Sequence, residues 1–181
     1  MDSLPAQDGA VAGGSREPVS GAGLRRTESH FEGHGQIPLF CRTWRPDSPV
    51  RALALVHGFG EHSGRYEAAA AWFAARGTVV HGFDLRGHGR SAGRRGHVGG
   101  FSDYLNDLEI FLDRVIAESN SLPVTLLGHS MGGLITTAFA VERSPRVQSL
   151  ITSGSALAVS CLLYTSPSPR DQRGSRMPSS A

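Results

Sequence analysis

Leu126-Leu127-Gly128-His129-Ser130-Met131-Gly132-Gly133 is the stretch on which the reading of this chain turns. An apolar run from Pro123 to Leu127 breaks at Gly128-x-Ser130-x-Gly132, and Leu134, Ile135, Ala138 and Phe139 then recur at helical spacing. A serine hydroxyl at its free pKa is a poor nucleophile, so an enzyme that uses one holds the oxygen on a sharp strand-to-helix turn, facing a base and an oxyanion site. Gly128 and Gly132 permit that turn, because a Cβ at either would strike the strand or the neighbouring backbone. Ser130 is therefore the candidate nucleophile.

Working outward, Ala52 to Val56 is a short continuous apolar run that stops at His57-Gly58-Phe59-Gly60, as a strand covered on both faces would. From Gly64 to Arg76 the apolar residues Tyr66, Ala69, Ala70, Phe73 and Ala74 keep helical spacing, with Ser63 as the predicted cap and Gly77 as the stop. Thr78 to Phe83 reads as the next strand. Asp84 to Gly100 carries six glycines and the arginines Arg86, Arg90, Arg94 and Arg95 without any hydrophobic period, and reads as a long solvated loop. Phe101, Tyr104, Leu105, Leu108, Phe111, Leu112, Val115 and Ile116 line one face of a helix that starts near Ser102 or Asp103. Beyond the serine turn the helix continues through Val141 towards Pro145, and Val147 to Thr152 makes one further strand. Phe31 and the run Ile37 to Trp44 read as an opening hairpin. Strand and helix alternate, which predicts a parallel α/β sheet.

The 181 residues fit one domain, and 39% hydrophobic content is enough for a core. A formal net charge of +2 is too mild to call for a nucleic-acid partner. Cys41 and Cys161 have no metal-ligand spacing. His57 and His62 lack a third ligand at regular spacing, so no metal is expected. Gly21-x-Gly23 and Gly87-x-Gly89 each lack the third glycine of a dinucleotide fingerprint, so no cofactor is expected either. There is no apolar leader and no membrane-spanning stretch, and the expected location is the cytoplasm. Residues 1–27, rich in Gly, Ala, Ser and Pro, read as a flexible leader ahead of a domain at 28–159.

Four motifs stand in order: His57-Gly58-Phe59-Gly60-Glu61-His62-Ser63-Gly64-Arg65-Tyr66, Gly82-Phe83-Asp84-Leu85-Arg86-Gly87-His88-Gly89-Arg90-Ser91, Gly93-Arg94-Arg95-Gly96-His97-Val98, and Gly128-His129-Ser130-Met131-Gly132-Gly133. In these the chain resembles the α/β-hydrolase family, and within it the monoacylglycerol lipase and lysophospholipase branch. The resemblance implies an α/β-hydrolase fold and a serine ester hydrolase that releases fatty acid through an acyl-enzyme. It implies Ser130 as nucleophile and the backbone N–H groups of Phe59 and Met131 as oxyanion donors, with their side chains free to line an acyl pocket. Gly128, His129, Gly132, His57 and Gly58 would support the turn, the two histidines packing beside it rather than acting as base. The implied partner is a lipid ester, with transient membrane-surface contact in a longer protein.

In this fold the triad runs serine, acid, histidine. All eight histidines lie at His129 or earlier, and the only acids after Ser130 are Glu142 and Asp171, so neither the acid nor the base of the triad is expected within this chain. The resemblance covers the fold through about its sixth strand, as in a truncated and inactive fragment. From Cys161 the sequence resembles a translated sequencing adapter, and residues 160–181 read as a non-native or disordered tail. Two other readings remain open: a non-catalytic binding protein that keeps the turn as structure, and an acyltransferase on the same fold.

Overall fold

Strand burial sets the frame of the molecule, whose computed structural model describes residues 23–157. β1 (Leu24–Glu32) and β2 (Pro38–Pro46) form the opening hairpin. β3 (Arg51–Val56) is buried at every residue but its first, and β4 (Thr78–Phe83) at every residue. β5 (Val124–His129) and β6 (Ser149–Ser153) complete one sheet of order β1-β2-β4-β3-β5-β6. The first two pairings, β1 with β2 and β2 with β4, are antiparallel, and β4-β3, β3-β5 and β5-β6 are parallel. Among the described residues three α-helices flank it: α1 (Glu67–Ala74), α2 (Phe101–Glu118) and α3 (Met131–Arg143).

The side-chain period of two in β3 divides the core. Ala52, Ala54 and Val56 face the larger cluster, where Leu105, Leu108 and Phe111 of α2 and Ile135 and Phe139 of α3 pack on Phe83 and Leu126. Leu53 faces the other way, into a smaller cluster with Trp44, Val80 and Ala70 of α1. The helices thus cover both faces, and the strands can be apolar throughout. Among the described residues no helix is long and apolar enough to cross a membrane.

Several local expectations are corrected. The stretch 24–27 is not leader: Leu24 to Thr27 pair with Pro46 to Thr43 as the start of β1. Residues 1–22, the 160–181 tail and Cys161 lie outside the described residues. Ser63 does not cap a helix; a 3₁₀ turn (Ser63–Tyr66) precedes α1, and the Ser63 hydroxyl is buried on Asp84 instead. The residue before α2 is Gly100, which gives no side-chain cap; Asp103 in the first turn reaches Arg86. Val141 lies in α3 as expected but is 79% exposed. The last strand begins two residues later than its apolar pattern, at Ser149.

Candidate active site

Ser130 sits between the end of β5 and the first residue of α3, at φ 52 and ψ −117. For a residue with a Cβ that conformation is strained, on the order of 1–3 kcal/mol, and it persists only where the surroundings over-determine it. They do. The Ser130 N–H donates to Ser153 O at the end of β6 (2.9 Å), and its carbonyl accepts from Ala156 N–H (3.2 Å). A Cβ on Gly128 would collide with Gly132 O and Thr136 Oγ1, and one on Gly132 would meet the carbonyls of Val56 and His57 on the adjacent strand. The two glycines let α3 start hard against β3 and β5. The Ser130 side chain is partly exposed, and among the described residues its hydroxyl has no hydrogen-bond partner.

Across from the bend, a Cβ on Gly58 would lie 3.1 Å from Ser130 Cβ, so the loop after β3 passes directly over the serine. That loop is clamped on both sides of Gly58. Its N–H donates to Glu61 Oε2 (3.0 Å), which also accepts from Tyr66 Oη (2.7 Å). Its carbonyl accepts from His57 Nδ1 (2.8 Å) and from the Glu61 N–H (3.3 Å). A trans peptide is planar with C=O and N–H opposed, so holding Gly58 O fixes the direction of the Phe59 N–H. The Met131 N–H, at the first helical position, is one of the four donors that an α-helix leaves without an intrahelical acceptor.

His57 is fully buried and both ring nitrogens are committed, Nε2 accepting from the Leu85 N–H (2.9 Å). Nδ1 therefore carries the proton and donates it to Gly58 O. Burial pushes its pKa down to about 4, so the ring is neutral and is not available as a base. His129 is half-buried instead, with Nδ1 3.4 Å from Ser153 Oγ and its ring edge-on to Tyr66. Burial raises the Glu61 pKa, but the bonds from Tyr66 and Gly58 and the nearby Arg65 outweigh it and hold the carboxyl below its usual range. Phe59 projects its ring outward at 65% exposure, while Met131, expected to be free for an acyl pocket, packs against the main core.

The long loop after β4 is more ordered than its composition implies. Asp84 is buried, accepts from Ser63 N (2.7 Å), Ser63 Oγ (2.6 Å) and Arg90 N (2.8 Å), and so ties the loop to the turn that follows Gly58. Arg86 is not a solvated loop arginine. It makes a bidentate pair with the wholly buried Asp107 (2.6 and 2.7 Å) and touches Asp103 (3.2 Å), and the Asp107 bond raises its already high pKa. Glu61, Asp84 and Asp107 have no site role in the sequence pattern, and Tyr66, expected on the apolar face of a helix, lies in the 3₁₀ turn before α1. Acids inside glycine-rich turns, and one on the otherwise apolar face of α2, were the signal.

A mostly parallel sheet with helices on both faces, carrying a serine on a strained strand-to-helix bend beside a glycine loop, defines an α/β hydrolase. The sequence matches the serine aminopeptidase S33 family over residues 47–172, and the chain belongs to that family. It is 36% identical to a monoacylglycerol lipase of Mycolicibacterium smegmatis over 133 residues, which is 73% of this chain and 48% of that protein. It is 44% identical to the human monoglyceride lipase over 106 residues, 58% of this chain and 35% of that one. The crystal structure of the Paleococcus ferrophilus monoacylglycerol lipase superposes with a TM-score of 0.54 at 33% identity, covering 76% of this chain and 45% of that one. The chain thus spans about half, or less, of the length of the relatives it matches.

Proposed function

We propose that this chain carries the nucleophile half of a serine hydrolase acting on lipid esters, monoacylglycerol or lysophospholipid. The observation that carries the reading is Ser130 held at positive φ against a doubly clamped Gly58 peptide, in a chain similar to lipases. Ser130 Oγ attacks the ester carbonyl carbon while a base takes its proton. The tetrahedral oxyanion is received by the N–H groups of Phe59 and Met131, each such donor contributing about 3 to 4 kcal/mol where one has been tested. The alcohol leaves with a proton, and water releases the fatty acid from the acyl-enzyme. Gly128, Gly132, His57, Gly58 and His129 support the bend.

The acid and base are not supplied by this chain, which on its own is inactive, and the complete protein works in the cytoplasm with transient contact to membrane lipid and no nucleic acid or cofactor. A fluorophosphonate probe on the longer gene product tests this. Labelling that Ser130→Ala abolishes is expected. A folded protein that takes no label supports the second reading, a non-catalytic binding protein. Product analysis with glycerol present separates hydrolysis from acyl transfer to an alcohol.

A further inference from the structure

The arginines between β4 and α2 do not share one fate. Arg86 is buried on Asp107 and Arg90 pairs with Glu28 (2.8 Å), whereas Arg94 and Arg95 are exposed and have no acid within ion-pair range among the described residues. The acids around them are committed: Asp84 to Ser63 and the Arg90 N–H, Asp103 and Asp107 to Arg86, Glu61 to Tyr66 and Gly58.

The turn that carries these two cations is fixed. The Gly96 N–H donates to Gly87 O (3.1 Å), the His97 N–H to Arg94 O (3.1 Å) and the Arg95 guanidinium to Gly89 O (2.7 Å). It also lies beside the candidate site. A Cβ on Gly96 would sit 3.8 Å from Phe59 Cζ, and Phe59 follows the glycine that overlies Ser130. Phe59 is 65% exposed and Phe101, just beyond the turn, 40%. Guanidinium groups that no acid neutralises among the described residues, next to exposed aromatic rings, match an anionic bilayer surface, where charge senses the negative potential and rings enter the headgroup layer.

We propose that the Arg94–Arg95 turn, with Phe59 beside it, docks the rim of the site on an anionic lipid surface. The inference rests on the lipid-ester reading, but its test uses no catalysis. The full chain is co-sedimented with vesicles of phosphatidylcholine alone and with vesicles that also contain phosphatidylglycerol. Partitioning at least about tenfold stronger to the second is expected, fading as salt rises.

Arg94→Ala, which leaves the Arg95 bond to Gly89 intact, weakens it by about fivefold, and Arg94→Ala/Arg95→Ala by at least about tenfold. Arg146→Ala removes the same charge from an exposed arginine after α3 and changes it by less than about twofold. Equal loss in Arg146→Ala, no loss in either loop variant, equal binding to neutral vesicles, or full competition by glycerol 3-phosphate overturns the proposal. The last outcome would mean a pocket for a single phosphate rather than a docking surface. Circular dichroism checks that the double variant folds. A gene product that labels at Ser130 but ignores anionic vesicles defeats this inference alone, and one that docks but never labels defeats only the enzymatic reading.

Discussion

The centre of the sheet and its β6 edge are built on opposite terms. In β3 and β4 almost every side chain is buried, whereas in β6 only Leu150 is even partly covered and Ile151 stands 46% exposed. The strained serine lies where these regions meet, with the Gly58 loop of the centre on one side and the Ser153 carbonyl of the edge on the other. The centre holds an unfavourable backbone conformation in place because little around it can move. The edge contributes one main-chain bond, and among the described residues no strand pairs with its outer side, so substitutions there should be tolerated where those at the centre are not.

The sharpest way to break that contrast is Gly132→Ala. Its Cβ would strike the main-chain carbonyls of Val56 and His57, so a loss of more than about 4 kcal/mol is expected, read as disappearance of a cooperative urea transition. Arg86→Ala leaves Asp107 buried without its cation and should cost about 3 to 5 kcal/mol in the same measurement.

Counted for each histidine, the pH dependence is the next largest effect. Burial lowers both His57 and His81 from 6.5 to about 4 in the folded chain, so the unfolded chain binds their protons first as the pH falls. Their contribution is complete above pH 6.5 and is lost progressively on the way down to pH 4, about 3 kcal/mol for each. Urea midpoints across that window check it, and His81→Phe should flatten the slope by about half. Smallest of all, Ile151→Lys should change stability by less than about 0.5 kcal/mol. Placing a charge on an open edge should still reduce self-association in sedimentation velocity.

Steric necessity was legible from residue order alone. Gly128 and Gly132 could be read as close-approach positions, and the continuous apolar runs of β3 and β4 as strands covered on both faces, because those constraints are local. Ser63 was not legible: a cap and a buried donor to Asp84 look alike until a partner 21 residues away is brought alongside. Arg86 read as solvated for the same reason, its fate set by Asp107 on α2. The first half of β1 carries no apolar period because it is exposed along its length. Main-chain pairing holds it, together with Glu28, whose pKa the bonds from Arg90 and Arg42 lower to about 2. The Met131 side chain was expected to be free to line an acyl pocket, but it is half-buried and packs against the main core.

In the proposed mechanism one peptide, held at Gly58 O by His57 and Glu61, aims the Phe59 N–H at the place where negative charge develops on a substrate bound to Ser130. A crystal structure of the longer gene product phosphonylated at that serine tests it most directly. The phosphonyl oxygen is expected within about 3 Å of both the Phe59 and Met131 nitrogens. An adduct on Ser130 with that oxygen turned to solvent, or bonded to side chains instead of those two amides, would contradict it.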